Sequence, residues 1–292
     1  MSSISTRLMT SAVAVVSATL LAACGTTAVA DPASPTTDPN AVVFRVERAG
    51  GYTTRAFAVR ILPDETIYAD GRLVTPKLVG TPRARTAIDG VVVRRLDTEG
   101  LRIVEEQIKQ SGFLTSKQTD FGFPGVTDLP TTTVNLSVGG SSGVLSAYAL
   151  DIPGEIDPGV TSAQRDARVK LRGLLETMSD IDSLVGSNHI SAAEPLPIDT
   201  FTIDSTVAPK RDGAESVKTV PWPLGRVDIS LTGRCMEVNG DDASALRDAL
   251  ATESDMTQYT QRGVDYVVAI RPVLPGETPC PIAPQTEPTT SG

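Results

Sequence analysis

Beyond Val42 the chain is dominated by short apolar runs and apolar–polar alternation, with few long helical stripes. Val42–Arg48 and Arg55–Leu62 flank Ala49-Gly50-Gly51-Tyr52-Thr53, a pattern that predicts a hairpin. Glu65–Thr75 predicts two further strands about Asp70-Gly71, a dipeptide suited to a type I′ turn, and Gly90–Leu96 predicts another strand. The period then changes. Asp97 suits an N-cap, Leu101, Val104 and Ile108 mark one helical face, and Gly112 supplies the stop. Thr131–Leu150 reads as two strands around a glycine-rich turn. Thr161 and Gln164 form a capping box that opens a helix carrying Ala167, Leu171, Leu174, Leu175 and Met178.

Residues 179–198 read as irregular, with Pro195 and Pro197 as a boundary. After it, Phe201–Val207 and Gly225–Leu231 read as strands. Asp241 or Asp242 caps a helix bearing Ala243, Leu246 and Leu250, and Tyr266–Leu274 is the closing strand. Strands outnumber helices and arrive as hairpins, which predicts an α+β fold: a mostly antiparallel sheet with about three helices packed on it. Residues 41–186 make the first α+β domain, and 187–280 a second segment packed on it or following it.

The first 23 residues carry one charge, Arg7, before an apolar run from Leu8 to Ala23. This is the layout of a secretory signal peptide, with a core too short to span a bilayer comfortably. Leu21-Ala22-Ala23-Cys24 resembles the lipobox of bacterial lipoproteins. That resemblance implies a diacylglyceryl group on the Cys24 sulfur and cleavage just before it, which anchors the protein to the outer face of the cell membrane. The alternative is cleavage after Ala30, at Ala28-Val29-Ala30, which releases a secreted protein. The excess of arginine over lysine points to a GC-rich genome, and the chain looks like a lipoprotein of an actinobacterial type of envelope. Residues 24–40, with three prolines, read as a tether, and 281–292 as a polar tail.

The net charge of −9 disfavours nucleic acid and anionic lipid heads as partners, which leaves the anchor to hold the membrane. Of three cysteines, Cys24 belongs to the lipobox; Cys235 and Cys280, in an exported domain, predict a disulfide. With one histidine in the chain, a Cys/His metal site is disfavoured. Asn239, Asp241 and Asp242, or Asp180 and Asp182, lack the ligand ladder of a calcium loop.

One catalytic motif matches literally. Gly139-Gly140-Ser141-Ser142-Gly143 is G-x-S-x-G, the spacing of an α/β-hydrolase nucleophile, with Asp180, Asp182 and His189 downstream in the order of that fold. The Val144–Leu150 segment that follows is strand-like, so the glycines more simply permit a hairpin turn. Trp222, between two prolines, reads as a residue over a core edge and as the best candidate for a surface contact with protein or glycan. The expectation is a non-enzymatic, lipid-anchored envelope protein that binds a partner or assists assembly, without a cofactor. A serine hydrolase using Ser141 and His189 competes with it, as does a carrier for a lipid or other small molecule.

Overall fold

The computed structural model describes residues 38–77, 85–115, 119–152, 159–209 and 217–280. The expected signal segment, Cys24, most of the expected tether and residues 281–292 lie outside the described residues. In chain order the elements are β1 (Val42–Gly50), α1 (Arg55–Arg60), β2 (Glu65–Tyr68), β3 (Arg72–Pro76), β4 (Val91–Arg95), α2 (Thr98–Gln110), β5 (Pro130–Val138) and β6 (Ser141–Tyr148). They continue as α3 (Ser162–Ser179), α4 (Ile181–Val185), β7 (Glu194–Pro195), β8 (Thr200–Val207), β9 (Thr219–Pro221) and β10 (Met236–Asn239). The last are α5 (Gly240–Leu250), β11 (Gln258–Gln261) and β12 (Val264–Pro272).

The strands form a seven-stranded sheet, β6-β5-β1-β2-β3-β4-β7, and a five-stranded sheet, β10-β8-β12-β11-β9. Among the described strand pairings only β9 with β11 is parallel, and the isolated bridge between Ile88 and Ile270 is parallel as well. The α+β class is therefore present, with five helices among the described residues in place of about three. Consecutive side chains of a strand point to opposite faces, and the larger sheet uses both. Ile67 and Leu73 join Phe44, Leu136, Val104, Ile108, Leu171 and Met178 in a core beneath α2, α3 and α4. Their neighbours Tyr68 and Val74 join Ile203, Ile270 and Leu246 in a second core, shared with the smaller sheet and α5. The larger sheet is thus a middle layer, and each fully buried Leu, Ile or Phe in it contributes roughly 1.5–3 kcal/mol.

Local chemistry sets the elements that the sequence marks most strongly. The Thr161 side chain accepts from the Gln164 N–H while the Gln164 side chain accepts from the Thr161 N–H, a complete capping box. Asp97 caps α2 through the Gly100 N–H at 2.8 Å. Gly139 and Gly140 have φ +60° and +80°, the left-handed pair a type I′ hairpin turn requires.

Several expectations need correction. Residues 179–198 are not irregular throughout, since they hold α4 and β7, and Asp70-Gly71 is not a type I′ pair, since Gly71 alone of the two has a positive φ. Arg55–Arg60 is helix α1, not the second strand of a hairpin. Thr54 accepts from the Phe57 N–H at 3.3 Å and starts a helix there, while β1 takes its neighbours from β2 and β5. Residues 225–231 form turns instead of a strand, because side chains take the backbone groups a ladder would use. Gln261 accepts from the Ile229 N–H at 2.9 Å, Ser205 donates to the Ile229 carbonyl at 2.7 Å, and Asp228 accepts from the Ser230 N–H at 3.0 Å. Finally, Asn239 is the N-cap of α5, though its side chain makes no capping bond. Asp241 and Asp242 lie in the first turn, where carboxylates still favour the helix dipole.

Arg168 on α3 is 1 % exposed. Its guanidinium donates to the Tyr148 carbonyl at 3.0 Å and to that of Ala149, so one cation holds the end of β6 against the helix. Arg168→Met leaves those buried acceptors without their donor, at an expected cost of about 3 kcal/mol. Urea denaturation of the variant checks this, and a loss below about 1 kcal/mol would mean that apolar packing suffices there.

Candidate functional site

Ser141 is the first residue of β6, exposed and paired across the hairpin with Val138. The G-x-S-x-G glycines make a strand reversal, not a strand-to-helix elbow. His189 lies after α4, and its Nδ1 is 2.9 Å from Asp97 Oδ2, while its carbonyl accepts from the Asp97 N–H at 3.1 Å. A Cβ on Gly100 would come within 2.7 Å of that same carbonyl, so the glycine lets the loop seat on the start of α2. The Gly100 N–H, and then His189, hold the Asp97 carboxyl below its ordinary value. Asp180 caps α4, and Asp182 makes two bonds of 2.6 Å with Arg94. Neither aspartate meets His189, whose carboxylate partner is Asp97.

Cys235 and Cys280 are joined, with their Cα atoms 5.4 Å apart, in the range a disulfide spans. Trp222 is 7 % exposed and meets Tyr259 edge-on, with ring centroids 5.4 Å apart. Its indole N–H donates to the Val227 carbonyl at 3.1 Å. Trp222 is therefore seated in the second core and offers little surface to a partner. Asn239 donates to Glu237, and Asp242 accepts from Arg226. Among the described residues no three His, Cys, Asp or Glu side chains gather in a way that would hold a metal ion.

Three clefts adjoin α1, which packs on β12 and β8, while a further one of about 630 Å³ lies apart, between β4, β7 and α5. One cleft, of about 560 Å³, runs from Phe57 and Arg60 past Ile61 and Leu62 to Glu65, Val46 and Leu175. A second, of about 410 Å³, shares Phe57, Arg60 and Arg85 with the first and continues to Met256, Pro209 and Val217. Phe57 and Met256 are large apolar side chains left exposed at this place. The Arg85 guanidinium sits 5.7 Å from the centre of the Phe57 ring, between the two clefts. A third cleft, of about 660 Å³, lies beside Arg55, Arg271 and the disulfide.

Most charges around α1 are already paired. Arg60, 8 % exposed, donates to the Thr86 carbonyl at 2.8 Å and lies 3.1 Å from Asp89 and 3.6 Å from Asp255. Arg55 forks onto the buried Asp204 with bonds of 3.0 and 2.6 Å. Glu277 accepts from Arg45 and, at 2.7 and 2.9 Å, from Arg271. Burial alone would raise the Glu277 carboxyl, but the Arg271 bonds and the nearby Arg45 outweigh it and hold the group below its ordinary value.

Glu65 is the exception. It is 8 % exposed, lines the first cleft, and among the described residues its buried Oε1 has no hydrogen-bond partner. Burial, with Asp64 beside it, pushes the carboxyl up to about 8, so it is neutral at pH 7. Sequence reading missed this residue. The available signal was its phase: in Glu65-Thr66-Ile67-Tyr68, Glu65 shares a strand face with Ile67. No protein-family model matches the chain, and no curated protein matches it.

Proposed function

We propose that this chain is a cell-envelope binding module, held by lipid on Cys24, that takes a small ligand in the adjoining clefts around α1. The observation that carries the reading is the exposed Phe57, with Arg85 over its ring, standing between two clefts that share both residues. Apolar walls with a few convergent polar groups are the usual make-up of a ligand site. That favours a small molecule over a flat protein interface, and it favours the carrier form of the binding reading. An anchor and tether keep such a module at high local concentration beside membrane-derived ligands. Among the described residues no helix is long and apolar enough to cross a membrane.

The test is photo-crosslinking in intact envelopes, with a photoreactive residue in place of Phe57 and a control in place of the exposed Val144 on β6. A small-molecule adduct at position 57 but not at 144, found by mass spectrometry, is the expected result. A protein adduct alone would favour assembly over ligand carriage, and equal labelling at both positions would remove the site. The N-terminal peptide from the same sample should carry the diacylglyceryl mass on Cys24. An unmodified peptide starting at Asp31 would mean secretion instead.

A further inference from the structure

Glu65 calls for an explanation that packing does not supply. A buried polar atom without a partner is rare, and each one marks strain, chemistry or something that binds there. The neutral carboxyl is an O–H donor, and its buried Oε1 has no partner among the described residues. The charged groups around it are Asp64 just before β2, Arg48 from β1, Arg60 from α1, and Arg85 and Asp89 from the segment between β3 and β4. Arg48 donates to Asp64, and Arg60 faces Asp89 and Asp255. Arg85 differs: its side chain is 51 % exposed, its nearest carboxylate is Asp89 at 3.9 Å, and among the described residues its guanidinium makes no hydrogen bond. Asp64 and Asp151 thus occupy Arg48, and Asp89 and Asp255 occupy Arg60, which leaves the exposed Arg85 guanidinium as the cation with room for a negative group at the mouth of the cleft. The walls between, Phe44, Val46, Phe57, Ile61, Leu62 and Leu175, are apolar.

Building on the ligand-binding reading above, we propose that the first cleft takes an anionic amphiphile with a carbonyl near its head. The neutral Glu65 carboxyl donates its O–H to that carbonyl, Arg85 pairs with the anionic group, and the acyl chain lies along the apolar walls. A cation is disfavoured because it would meet the exposed Arg85 guanidinium at the mouth. A plain hydrocarbon leaves Glu65 without a partner. Binding is linked to the proton on Glu65, and the sign follows from its role. Ionised Glu65 has no proton to donate and would have to be buried as a charge, so affinity falls as pH rises through about 8.

Isothermal titration calorimetry on the full chain with Cys24→Ser, which keeps it free of lipid in solution, tests this with N-decanoylglycine at pH 6.5 and 9.5. Affinity should fall about thirtyfold between the two, the factor by which the neutral form is depleted. Glu65→Gln keeps a donor but cannot titrate, so its affinity should stay within about twofold across the same range. Arg85→Ala should weaken binding about tenfold at both pH values. Decane-1-sulfonate, with no carbonyl, should bind more weakly than N-decanoylglycine at pH 6.5. Equal wild-type affinity at both pH values, or tighter binding of decyltrimethylammonium than of N-decanoylglycine, overturns the ligand assignment and leaves the binding module standing. No binding by any of the three probes, together with no small-molecule adduct at position 57, removes both.

Discussion

Wild-type protein unfolded in urea will be about 3 kcal/mol less stable at pH 8.5 than at pH 5.5, and Glu65→Gln will lose most of that difference. The sign follows from proton counting. Glu65 titrates near 8 in the fold and near its ordinary 4.5 when unfolded, so between those values the native state holds a proton that the unfolded chain has released. Stability then falls as pH rises through the window and levels off above about 8. Asp97, Asp182 and Glu277 work in the opposite direction but elsewhere. Their carboxyls are lowered in the fold, so they contribute fully above the ordinary carboxylate range and lose that contribution only in acid. The interval from 5.5 to 8.5 therefore isolates Glu65 from these carboxylates. Parallel pH profiles for wild type and Glu65→Gln would show that the carboxyl is solvated, and the ligand assignment would fall with it.

Replacing both Cys235 and Cys280 by serine should cost about 4 kcal/mol, the unfolded-state entropy that a bridge across 45 residues removes in the chain-entropy model. The measurement is a pair of urea melts, wild type against the double variant, without reductant. The loss should be global, because the loop contains β10, α5, β11 and β12, most of the smaller sheet. A loss below about 1 kcal/mol would place the work of fastening this end on Glu277. That carboxylate already receives Arg45 from β1, Arg271 from β12 and the Leu274 N–H at 2.9 Å.

What the sequence disclosed was chemistry confined to a few neighbouring residues. Thr161 with Gln164, Asp97 before α2, Asp70-Gly71 and the paired glycines before Ser141 each decide a cap or a turn without help from afar. Arg55–Arg60 was misread because six residues hold too little of either period to separate helix from strand. Residues 225–231 alternate as a strand does, yet Gln261 and Ser205, distant in sequence, take the Ile229 backbone groups. The cysteine pair was legible from the cysteine count together with the expectation of export. The clefts were not, since Phe57, Glu65, Arg85 and Leu175 come from four separate stretches and meet only in the fold. Glu65 illustrates the limit: a charged letter in a strand normally marks solvent, and only the tertiary cover reverses that meaning.

The position of β1 also has a mechanical side. It is the first described strand, yet it lies inside the sheet, paired with β2 over Val42–Val46 on one side and with β5 over Phe44–Gly50 on the other. Gly276, near the disulfide, lies against the chain just before it, where a Cβ would meet the Asn40 carbonyl at 3.1 Å. A pull delivered through residue 40 cannot peel an edge strand away. It loads two ladders in shear at once, so the domain should resist force applied at residue 40 far better than its thermodynamic stability alone implies.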